Sequence, residues 1–152
     1  MEKNCRTLFD SFFLPVAMKQ RRFFLSVWTI AICLLTLLPG NCFPTIQTFW
    51  DWLQWDKLVH LFLFGIFSIL FLRILSLSKA SLGNYLFAFV TGGIFGGGIE
   101  LLQYYVIRGR NGNLFDFYAD LAGCLICLAG YAIWENKSRN LKNGNNRVPK
   151  NQ

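Results

Sequence analysis

The chain has 152 residues, a formal charge of +7, and a composition that is 54% hydrophobic and 17% aromatic. That length holds one domain, and a soluble domain of this size has too little interior to hide sixteen Phe. Nucleic-acid binding is not expected, because ten of the fifteen Lys and Arg fall in the first 22 or last 18 residues and form no basic stripe with interleaved aromatics. The composition points to an all-α integral membrane protein.

The N-terminal segment, residues 1–22, is basic through Lys3, Arg6, Lys19, Arg21 and Arg22. A first apolar run follows from Phe23 to Leu38 and is closed by Pro39-Gly40. Asn41 stands directly before Cys42, where a lipoprotein cleavage site needs a small residue, so the run reads as an uncleaved signal anchor. Next comes "TIQTFWDWLQWDKLVH", whose Trp50, Trp52 and Trp55 suit the headgroup layer; a short interfacial helix between the first and second spans is expected there. The second span runs from about Leu58 to Leu72, where Arg73 marks the exit. The third goes from about Leu82 to Ile107 and the fourth from about Phe117 to Trp134. A crossing takes about 20 residues, so the first two are short. The tail, 136–152, is polar and Asn-rich and is expected to be disordered.

Basic residues set the orientation. Arg73 and Lys79 in the second-to-third loop join those of both termini, while only Lys57, Arg108 and Arg110 lie on the other side. The positive-inside rule then places both termini in the cytoplasm. The expected architecture is a bundle of four transmembrane helices spanning residues 23–135, in a membrane whose lipids are its first partners.

The polar residues of the spans converge on the outer end of that bundle. His60 opens the second span; Glu100 and Gln103 share a face near the end of the third; Asp116 and Asp120 share a face at the start of the fourth. Lys57, Arg108, Arg110 and Asn113 lie beside them at the same membrane face. A charge at mid-bilayer costs about 2.5–3.5 kcal/mol on insertion scales, so such residues face a bundle interior and mark functional sites. Glu100 is the candidate acid/base, His60 its proton partner, and Arg110 a clamp for an anionic headgroup. Glycines 92, 93, 96 and 97 below Glu100, and Gly123, Cys127 and Gly130 below Asp120, form small-residue seams. The Gly92/Gly96 and Gly93/Gly97 pairs are also candidates for contact with another membrane protein. Cys124-Leu-Ile-Cys127 reads as a pair of small hydrophobes in an apolar helix rather than a redox motif. One His and three carboxylates can hold a divalent cation of the magnesium, calcium or manganese type, whereas zinc recruits more His or Cys. The sequence leaves metal binding open and points to no other cofactor.

These residues resemble the VanZ-like membrane proteins. The resemblance rests on Asp56-Lys57-Leu58-Val59-His60, on Glu100-Leu101-Leu102-Gln103, and on Arg110, Asn113, Asp116, Asp120 and Gly123, and it covers about residues 23–135. Two positions depart from the family pattern: Asn113 stands where an Asp is expected and Asp120 where an Asn is expected. The resemblance implies a bacterial cytoplasmic-membrane protein of the cell envelope with its polar residues near the outer face. The family takes its name from a protein associated with tolerance of the glycopeptide teicoplanin. A pocket that binds or modifies a lipid-linked or wall-related substrate is the expected function. A small proton-coupled transporter or channel, and a scaffold subunit of a membrane complex, are the alternatives.

Overall fold

The computed structural model describes residues 2–37, 55–76, 80–106 and 114–145. They form four helices: α1 (Glu2–Leu37), α2 (Trp55–Leu75), α3 (Leu82–Val106) and α4 (Leu114–Asn145). Each contains a stretch long and apolar enough to cross a membrane: Met18–Leu37, Asp56–Leu75, Leu82–Val106 and Leu114–Ser138. Large apolar side chains such as Phe23, Ile30, Phe62, Leu86, Ile94, Ile126 and Ile133 point outward on all four. In water that surface would be a liability; in lipid it is the solvated face.

The helices run up and down. Near the start of the apolar stretch of α1, Arg21 donates to the carbonyls of Arg73 (2.6 Å) in the last turn of α2 and of Ser76 (3.1 Å) just beyond it. These are carbonyls that the helix itself leaves unpaired. Ser81 caps α3 on its other side, its hydroxyl accepting from the Asn84 N–H at 3.3 Å. Tyr85, one turn into α3, donates its hydroxyl to Glu135 Oε2 of α4 at 3.2 Å. At the opposite end of the bundle, α1 and α3 meet where Gln103 donates to the Thr36 carbonyl at 2.8 Å.

The most extensive interface joins α2 to α4, and small residues explain it. A Cβ on Gly123 would stand 2.1 Å from the Leu61 carbonyl oxygen, and one on Gly65 would stand 2.5 Å from Cys127 Sγ. Backbones this close leave no room for a side chain. On α3, Gly92 lies against Cys124, Gly93 against Leu121, Gly96 against Asp120 and Gly97 against Phe117. The glycine stripe of α3 is therefore filled by α4 of the same chain. Among the described residues, nothing lies within 4 Å of a Cβ placed on Gly98 or Gly130. Between the ends the interior is apolar: Ile32, Leu63, Phe64, Phe67, Ile99 and Cys124 form one cluster, and Leu72, Ala80, Ala88 and Leu128 a second. Buried hydroxyls serve their own helices, Thr36 donating to Ile32 O and Ser68 to Gly65 O.

Three boundaries differ from the sequence reading. α2 begins at Trp55 rather than near Leu58, so Asp56 and Lys57 belong to the helix and the span reaches a full crossing length. α1 is helical from Glu2, well before the expected start of the span at Phe23. α4 continues to Asn145, so residues 136–145 of the supposedly disordered tail are helical. Extending an existing helix costs no new nucleus, and Glu135, Lys137, Arg139, Leu141 and Lys142 are good helix formers. The expected interfacial helix with Trp50 and Trp52 lies outside the described residues, as do residues 146–152 of the tail.

Candidate functional site

Asp56 and His60 are one turn apart on α2 and so share a face. The close approach of Gly123 to Leu61 fixes that face toward α4, because Leu61 adjoins His60 and Gly123 follows Asp120 by one turn. His60 and Asp120 are thereby pressed together: the imidazole Nδ1–H donates to Asp120 Oδ1 at 2.9 Å, with 1% and 0% of the two side chains exposed. A proton held on Nδ1 leaves Nε2 as the lone-pair nitrogen of the neutral ring. The ring also stacks on Phe64 at 6.2 Å between centroids, which fixes its plane.

α3 supplies the third member. Gly96 leaves room for the Asp120 carboxylate, whose Oδ2 lies 2.7 Å from where a Cβ on Gly96 would stand. Glu100, one turn further on, then reaches the same imidazole, with Oε1 3.8 Å from His60 Nδ1. His60, Glu100 and Asp120 each offer a ligand atom within 4.8 Å of the others. Asp56, His60 and Asp116 do the same, so two trios share one histidine. Asp116 is buried in the first turn of α4. Asp116 Oδ1 and Asp120 Oδ2 are buried and accept no hydrogen bond from any described residue.

His60, Glu100, Asp116 and Asp120 are therefore brought together as the sequence reading expected. Within the set, His60 is hydrogen-bonded to Asp120 at 2.9 Å, and Glu100, which the sequence reading pairs with His60 as acid/base and proton partner, stands 3.8 Å from the same nitrogen. Lys57 lies at the rim with its ammonium 5.0 Å from the centre of the Phe115 ring. Gln103 is buried but directed at α1, where it satisfies the Thr36 carbonyl, so it holds the bundle rather than lining the cluster. Arg108, Arg110 and Asn113 lie outside the described residues.

Asp56 was quoted in the sequence motif but not counted among the site residues; its one-turn spacing from His60 was the available signal. A lipid-facing groove was not foreseen at all. It occupies about 800 Å³ between α3 and α4, and Ile94, Gly97, Gly98, Leu101, Tyr104 and Phe117 line it together with Glu100. Gly98 opens it, since no atom of a described residue lies within 4 Å of a Cβ placed there. Glu100 thus borders both the buried cluster and an apolar groove on the outside of the helix bundle.

Chemically, an imidazole between two buried carboxylates can hold or pass a proton, and the carboxylate oxygens can take a cation. Cys124 takes no part: its thiol donates to the Phe64 carbonyl at 3.4 Å, and Cys127 fills the space over Gly65. No family model, curated protein or solved structure matches this chain.

Proposed function

We propose that this is a VanZ-like protein of the bacterial cytoplasmic membrane, with both termini in the cytoplasm, whose polar cluster faces outward and binds or modifies a lipid-linked envelope substrate. One observation carries the reading: Glu100 lines an apolar groove open to lipid while also standing 3.8 Å from His60 in the buried trio. A ligand with an acyl or polyprenyl tail would lay the tail in the groove and bring its polar head to Glu100. Diffusion within the bilayer replaces an entry path from water.

The transporter reading draws less support. Between the His60 cluster and the Tyr85–Glu135 pair, the described interior is Phe, Leu, Ile and Ala, with hydroxyls bonded to their own helices. A scaffold role through the α3 glycine pairs also draws little, because α4 occupies that stripe.

The test is lipid retention. Wild-type protein, Glu100→Gln and Gly98→Leu are purified in mild detergent, and co-purifying lipids are identified by mass spectrometry. A lipid class bound by the wild type and reduced in both variants supports the proposal. Identical lipid profiles in all three would rule it out. Loss of teicoplanin tolerance in cells carrying Glu100→Gln would connect the site to the envelope.

A further inference from the structure

We infer that His60, Glu100 and Asp120 form a binding site for one divalent first-row metal ion, with Asp56 and Asp116 at its mouth. The three side chains come from α2, α3 and α4, and their ligand atoms lie within 4.8 Å of one another. Metal–nitrogen and metal–oxygen bonds of about 2.0–2.2 Å put neighbouring donors roughly 3–3.5 Å apart. The His60–Asp120 and His60–Glu100 separations, 2.9 and 3.8 Å, bracket that spacing. Binding requires no helix to move, only small side-chain rotations.

Charge gives an independent reason. When both are ionised, Glu100 and Asp120 put two negative charges in a site removed from water, and His60 ligates a metal in its neutral form. A protonated imidazole would cancel one of those charges; a divalent ion cancels both. Buried carboxylates are compensated by partners or metals because an isolated ionised carboxylate is costly to bury. The oxygen inventory agrees: Asp120 Oδ2 and Asp116 Oδ1 are buried without a hydrogen bond from any described residue. Asp120 Oδ2 lies against Gly96, on the α3 face that presents Glu100 one turn later. Polar atoms so placed ordinarily have a protein, water or ion partner.

The donor set narrows the ion. Imidazole suits zinc, copper, iron and nickel, and carboxylates suit magnesium, calcium and manganese. One nitrogen among carboxylate oxygens favours a metal that accepts both, and manganese(II) is the convenient probe. The ion would replace the proton on His60 Nδ1, which is released on binding. Asp56 and Asp116 form the second trio with the same His60, and Asp56 is its exposed member.

The test titrates chelator-stripped, purified full-length protein with manganese(II), reading the free ion by electron paramagnetic resonance. One ion per chain is expected for the wild type. Glu100→Gln and Asp120→Asn should each weaken binding by at least about tenfold. Glu135→Gln, at the opposite end of the bundle, should bind as the wild type does. Size-exclusion elution and helical content are checked for each variant, and if Asp120→Asn does not accumulate, the near-isosteric Glu100→Gln decides. Absence of saturable binding up to millimolar manganese, or unchanged affinity in Glu100→Gln, would overturn the inference. No lipid substrate enters the titration, so this result and the lipid-retention result can each fail alone.

Discussion

His60 and Asp120 lie sixty residues apart in sequence and share a 2.9 Å hydrogen bond in a place sealed from solvent. That bond ties α2 to α4 at the level where Glu100 of α3 also arrives. Removing one partner of such a buried pair strands the other. His60→Ala should therefore destabilise the fold by about 3–5 kcal/mol. Asp120→Asn retains an acceptor oxygen for the Nδ1–H and should cost only about 1 kcal/mol. Denaturant unfolding in detergent, followed by helical circular dichroism, checks both; equal losses would show that the bond itself matters little.

The glycines should separate by position. Gly123→Ala puts a methyl against the Leu61 backbone oxygen, a neighbour that cannot rotate away. A loss of about 3 kcal/mol is expected, the upper range for overpacking. Gly130→Ala enters open space on the same helix and should be neutral or stabilise by up to about 1 kcal/mol through helix propensity. Thermal aggregation midpoints of the two purified variants provide the comparison.

α1 is held at few points, including Gln103 to Thr36 O and Trp28 Nε1–H to Leu63 O at 2.9 Å. Gln103→Met preserves volume and removes the donor. About 1–2 kcal/mol should be lost locally, seen as faster amide hydrogen exchange across the last two turns of α1 with α2 and α4 unchanged. Faster exchange everywhere would instead mark Gln103 as essential to the whole bundle.

Replacing both thiols, as Cys124→Ala with Cys127→Ala, should leave lipid retention and manganese binding at wild-type levels, since the Cys124 thiol donates to the Phe64 carbonyl and Cys127 packs over Gly65. In the folded wild type, Cys124 should resist maleimide, being fully buried. Loss of either binding activity would restore a chemical role to the C-x-x-C pair.

Orientation is read with cysteines introduced by Lys57→Cys and Lys137→Cys in a background lacking native cysteines. A membrane-impermeant maleimide applied to whole cells should label the first and spare the second. The reverse pattern would place the cluster at the cytoplasmic face and remove an envelope substrate from consideration.

Hydropathy made the four helices legible, because a run that must satisfy its own backbone in lipid has one regular solution. The costly residues were legible for the same reason: each interrupts an apolar run. Which of them would touch was not legible. Glu100 does stand 3.8 Å from His60, but the closer bond to Asp120 follows from how Gly65 and Gly123 seat α2 against α4, and the meaning of those glycines depends on the helix opposite. The stripe from Gly92 to Gly97 could equally have served an external helix until α4 was seen to fill it. The groove beside Gly98 was invisible because side chains of two helices wall it jointly, and composition carries no record of which residues come to face each other.

Chain order gives the close approach of Gly123 to Leu61 a consequence for biogenesis. Synthesis runs from the amino end, so α2 and α3 leave the ribosome before α4 exists. During that interval Glu100 has His60 available but not Asp120, and the surface around Leu61 and Gly65 lacks its protein partner. Docking of α4 covers that surface and delivers a second acid to the imidazole in the same movement, so the polar centre is completed only after α4 has been made.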